Sequence, residues 1–177
     1  MSKKLIIIIA IIVVVVIAAV VLGVVITKDK PAQDNKEALV EENKETSAGN
    51  VEGTLEEIMA KVYKDIPEEN LPMAISNMEI NAENVEGFLG TANIEYAEAI
   101  ASESMVGSIA HSVVLVRLND AKDAEATVQT IKDNVDPRKW ICIEASNVVV
   151  KSKGNLVILI MSNEDLAPKL EANFDNL

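Results

Sequence analysis

The chain has 177 residues, with 16 Lys and Arg against 28 Asp and Glu, a formal net charge of −12, one cysteine and one histidine. That length holds one ordinary domain, a lone cysteine excludes an internal disulfide, and so acidic a chain lacks the basic surface that nucleic acid or an anionic lipid surface requires. Only 3% of residues are aromatic, so the core is expected to be aliphatic.

Residues 1–4 form a short basic tail with Lys3 and Lys4. Leu5 to Ile26 follow without a charge in 22 residues. A helix of that length rises roughly 33 Å, enough for a hydrocarbon core of about 30 Å, and the segment reads as one transmembrane helix in contact with the lipid bilayer. The apolar region of a cleaved signal peptide is shorter, about 7–15 residues, so an uncleaved signal anchor is expected. Lys28, Lys30, Lys36 and Lys44 on its other side leave the lysine count undecided. The tail resembles the basic start of a secretory signal, and a single-pass protein of the cell membrane with its C-terminal domain outside the cytoplasm is the expectation.

Residues 27–53, "TKDKPAQDNKEALVEENKETSAGNVEG", are polar and charged with few large apolar side chains. Such a segment cannot bury enough surface to offset its ordering entropy, and it reads as a flexible charged linker. The globular domain then runs over residues 54–177, with 10 Lys and Arg against 21 Asp and Glu.

Within the domain, Thr54 and Glu57 make a capping-box pair, and Leu55, Ile58, Met59, Val62, Tyr63 and Ile66 recur at helical spacing, which predicts a helix to about Lys64. Residues 72–80 read as extended, and residues 81–90 as a short helix capped by Asn81 and stopped at Gly90. "NIEYAEAIASES" and the β-branched stretch 109–118 are expected to pair as strands. Asp120 then caps a helix whose stripe is Ala121, Ala124, Val128, Ile131 and Val135, ended by Pro137. "KWICIEA", "NVVVKS" and "NLVILIM" read as strands, the last two forming a hairpin across Lys153 and Gly154. Ser162 and Asp165 open a final helix with Leu166, Leu170 and Phe174. The expected fold is an α+β two-layer domain with helices on one face of a mostly antiparallel sheet.

Candidate chemistry is sparse. His111 follows Ser108 by three residues, but on a strand these side chains point to opposite faces roughly 10 Å apart, too far for a nucleophile and its base. His111 is therefore placed at the rim or surface of the sheet, sharing a face with Arg117. Cys142 between two isoleucines reads as buried and inert. One cysteine and one histidine do not suggest a zinc site, and no metal or cofactor is expected. Asp120 with Asp123, Glu83 with Glu86, and Glu164 with Asp165 are explained by helix starts. The one basic and aromatic cluster is Arg138, Lys139 and Trp140, the only tryptophan, and Arg and Trp are frequent in binding hot spots. The possible interaction surface is thus Arg138, Lys139, Trp140, His111 and Arg117.

"HSVVLVRLNDAKDAEATVQTIKDNV" followed by "NVVVKSKGNLVILIMSNEDL" resembles an uncharacterised domain of membrane-anchored proteins and lipoproteins of Gram-positive, clostridia-like bacteria, over roughly the last 75 residues. The resemblance implies an envelope location and no activity. This chain departs from the lipoprotein members in carrying an anchor and no lipid-bearing cysteine. The leading expectation is a membrane-tethered, noncatalytic binding module for an unknown protein or envelope ligand. The alternatives are an envelope hydrolase using carboxylates or His111, and a cytoplasmic membrane-bound regulator if the topology is reversed.

Overall fold

The computed structural model describes residues 49–177. The basic tail, the apolar segment 5–26 and most of the linker lie outside the described residues. Among the described residues no helix is long and apolar enough to cross a membrane.

The domain opens with helix α1, Leu55–Val62, closed by the expected capping box: Thr54 Oγ1 accepts from the Glu57 backbone N–H at 3.2 Å, and Glu57 Oε2 accepts from that of Thr54 at 3.0 Å. Strand β1 is Ile75–Glu79, helix α2 Val85–Leu89 and strand β2 Glu98–Ser104. Strand β3 is Ser112–Arg117 and helix α3 Ala124–Asn134, entered through a 3-10 turn, Ala121–Asp123. Strand β4, Asn147–Lys153, strand β5, Leu156–Ser162, and helix α4, Ala167–Asp175, complete the chain. The five strands form one antiparallel sheet in the order β1-β2-β3-β5-β4. The α+β class and the antiparallel sheet agree with expectation.

The placing of the helices does not. Ile131 of α3 and Leu89 of α2 pack with Val114, Val116, Val157 and Leu159, while Ile58 of α1 and Leu170 and Phe174 of α4 pack with Val113, Leu115, Ile158 and Ile160. Strand side chains alternate between faces, so these are two cores on opposite sides of the sheet. The domain has three layers, with α2 and α3 on one face and α1 and α4 on the other, instead of two. The physical reason is that β3 and β5 are apolar on both faces: Val113 to Val116 and Leu156 to Met161 are all buried. A central strand that is apolar at successive positions requires cover on both sides.

Local corrections follow from backbone bonding. The hairpin turn lies at Gly154 and Asn155, because Lys153 pairs with Leu156; only Gly154 of the two has positive φ (57°), as a type II′ turn requires at its first central position. Asn163, instead of Ser162, bonds the start of α4, its Oδ1 accepting from the backbone N–H groups of Asp165 and Leu166. "KWICIEA" is a loop, with Ala145 N–H donating to Pro137 O and Arg138 N–H to Asp136 Oδ1. Cys142 sits there at φ 71° and is exposed, which overturns its expected burial on a strand. The last linker residues also belong to the fold: Arg117 donates to Val51 O at 2.8 Å and to Gly53 O at 2.6 Å.

Candidate functional site

The alternation of β2 sends Ala99, Ala101 and Glu103 to the α2 and α3 face, and Glu103 stands at the end of that row opposite Ser112. The loop after α3, turned by Asp136 and Pro137, carries Lys139 back over the same end. Lys139 Nζ lies 2.6 Å from Glu103 Oε1, and both side chains are largely buried, 17% and 16% exposed. The contact is an ion pair, and among the described residues Glu103 Oε1 has no aligned hydrogen-bond donor. Lys139 Nζ donates instead to Ser112 Oγ at 3.3 Å.

Two aromatic rings complete the surroundings of this ammonium. Phe88 of α2 has its centroid 4.9 Å from Lys139 Nζ, and Trp140 has its own at 5.1 Å, both within cation–π range. The cluster lines an open groove of about 570 Å³ together with Met78, Glu83, Asn84 and Met105. Gly87 and Gly107 border the groove, and among the described residues no atom lies within 4 Å of where a Cβ would stand on either. Met105 is 64% exposed, and on the loop beyond Trp140 the side chain of Ile141 is 86% exposed.

The expected contact residues separate into three places. Lys139 and Trp140 meet in the groove, Trp140 resting partly on the core, while Arg138 is exposed and lies 3.6 Å from Glu144. Arg117 is at the other end of β3, where it pairs with Glu98 at 2.7 Å and holds the chain before α1; it is a clasp, not part of the groove. His111 is 1% exposed, which corrects its placing at the rim: α1 covers this sheet face, so a residue at the head of β3 is buried under it.

His111 joins Tyr63, at the C-terminal end of α1, to Ser162, which ends β5. Its Nε2 is 2.7 Å from Tyr63 Oη and its Nδ1 2.9 Å from Ser162 Oγ. Either tautomer of a neutral ring satisfies both contacts, because each hydroxyl donates or accepts. Burial pulls the imidazole down to about 4, so the ring is neutral at pH 7. Burial also pushes the Tyr63 phenol far above 10, tempered by the nearby Ser102 hydroxyl, which is itself buried and short of full hydrogen-bond geometry. The histidine thus has a serine partner, Ser162 instead of Ser108. Their separation suits a base and its nucleophile, yet Ser162 is 0% exposed and neither residue touches a carboxylate among the described contacts. In this conformation the three-residue chain satisfies buried polar groups under α1.

Of the acidic pairs, Glu86 lies in the first turn of α2 and Asp120 caps the 3-10 turn before α3, whereas Glu164 and Asp165 precede α4, whose first turn carries no acidic residue. Asp120 Oδ1 accepts from Lys122 N–H at 3.0 Å, and that bond holds the carboxyl below its usual range. Among the described residues no three His, Cys, Asp or Glu side chains converge as metal donors. Sequence reasoning missed Phe88, Glu103 and Met105 in the groove. A Phe seven residues after the expected helix cap Asn81 and a Glu in a strand carry no signal of their own, and only the sheet register brings them to Lys139. Comparisons of the chain with protein-family models, with curated proteins and with solved structures give no match.

Proposed function

We propose that this chain is a membrane-tethered binding module, anchored through Leu5 to Ile26, that presents its domain outside the cytoplasm and takes a partner in the Trp140 groove without performing chemistry on it. The uncharged 22-residue segment supports the anchor, and the charged stretch after it suits a tether. The excess of acid in the domain argues against nucleic acid as the partner. The resemblance to domains of Gram-positive membrane proteins and lipoproteins fits an envelope location. Burial of His111 and Ser162 weighs against the hydrolase alternative.

The observation that carries the reading is the groove itself: Met78, Phe88, Met105 and Trp140 expose apolar surface beside a charged pair, the composition of a contact site. Its test is a photo-crosslinking amino acid at Met105 of the full chain in intact cells, with the exposed Lys169 of α4 as control position. A discrete adduct at position 105, diminished by Gly87→Leu, is expected; among the described residues no atom lies within 4 Å of where the new Cβ would stand. Equal adducts at both positions, or an adduct indifferent to Gly87→Leu, overturn the groove as the binding site.

A further inference from the structure

We propose that Phe88, Trp140 and Glu103 form a recognition site for a lysine side chain of the partner, and that Lys139 is its built-in occupant, displaced when the partner's ammonium enters. This rests on the groove being the binding site and adds what it recognises. An ordinary ion pair needs one carboxylate. Here two aromatic centroids at 4.9 and 5.1 Å and a carboxylate oxygen at 2.6 Å surround one ammonium. That is the arrangement by which proteins bind cationic ligands, drawing on the negative face of the ring and on a desolvated carboxylate.

The resident Lys139 defines the ligand class: an ammonium on a flexible aliphatic stem. The same groove is lined by Met78 and Met105, which suit the stem and apolar neighbours of an incoming lysine, and by Glu83, a second negative charge. The whole domain has 21 acidic against 10 basic residues, so its field favours a basic partner. Exchange of one lysine for another conserves the contacts made, so the cost of entry is the local advantage of the tethered Lys139. An intramolecular competitor lowers apparent affinity by the fraction of time it leaves the site free. Removal of Lys139 therefore strengthens binding of a lysine ligand, whereas a groove in which Lys139 is only structural predicts the opposite.

The only tryptophan of the chain is in the site, so its fluorescence reports occupancy directly. The full chain, held in maltoside micelles that carry no competing ammonium headgroup, is titrated with N-acetylated, C-amidated Leu-Lys-Leu, with Leu-Gln-Leu and with spermidine. The expected result is saturable binding of the lysine peptide, about tenfold or more tighter to Lys139→Met and about tenfold weaker to Glu103→Gln and to Phe88→Leu. Phe88→Leu keeps the test open should Lys139→Met not fold. Unchanged or weaker binding to Lys139→Met overturns the displacement, as does full affinity in Phe88→Leu. Equal binding of the glutamine peptide overturns lysine recognition while leaving the groove as a binding site. Spermidine binding without the peptide overturns a partner segment as the source, and failure of every probe together with loss of the Met105 adduct removes both readings.

Discussion

A fall in pH from 7 to 5 is expected to cost the domain about 2 kcal/mol through His111 alone. The imidazole is held by burial at about 4, against 6.5 when free. The unfolded chain therefore takes up the proton first. The stabilisation is complete above about pH 6.5 and is lost as the pH falls toward 4, for a total of roughly 3 kcal/mol over that window. His111 is the only histidine of the chain, and the interval from pH 7 to 5 brackets the titration of a free imidazole. Urea unfolding of the full chain in maltoside micelles, followed by Trp140 fluorescence, measures it. With a urea slope of roughly 2 kcal/mol/M, the midpoint drops by about 1 M between the two pH values. The variant His111→Gln cannot take up a proton and is expected to be less stable at pH 7 but nearly flat over the same interval. A flat wild type, or a His111→Gln variant with the wild-type slope, refutes the burial of a neutral imidazole between Tyr63 and Ser162.

Ile158 and Leu159 are adjacent on β5, point to opposite faces and are both fully buried. Each substitution to alanine is expected to cost about 2–5 kcal/mol in urea unfolding, and a tolerant Leu159→Ala or Ile158→Ala contradicts a sheet covered on both sides. Gly90 ends α2 at φ 76°, and a Cβ there would stand 2.1 Å from Asn134 O. Gly90→Ala is expected to lose more than about 2 kcal/mol, while Gly87→Ala, inside α2 and facing open space, is neutral or gains about 0.5–1 kcal/mol. Thermal melts of the two variants separate these outcomes, and equal shifts refute the packing of α2 against the end of α3.

Local signals in the sequence were reliable where they carried their own physics. The Thr54 and Glu57 pair produces a capping box, Gly90 ends α2, and the β4 and β5 hairpin forms within one residue of its expected turn. The second helical layer was also legible in principle. Uninterrupted apolar runs in β3 and β5 signal burial of both faces, which a two-layer arrangement leaves half uncovered. Composition misled at "KWICIEA", where β-prone residues sit in a loop because turn bonds at Asp136 and Pro137 leave them no strand partner. The remaining features depend on register. His111 meets Ser162 across β3 and β5, 51 residues apart, and Lys139 meets Glu103 across a loop and a strand. Neither distance along the chain has a local signature.

The measurement that tests the account most directly is the sidedness of the domain in intact cells. Cys142 is exposed, so it is replaced in Cys142→Ser, and a single reporter is introduced as Ser47→Cys in the segment before the domain. A membrane-impermeant maleimide is then applied before and after lysis. Labelling of intact cells is the predicted result and places the Trp140 groove where envelope or extracellular lysine-bearing proteins reach it. Labelling only after lysis contradicts the extracytoplasmic reading and turns the search toward a cytoplasmic regulatory partner.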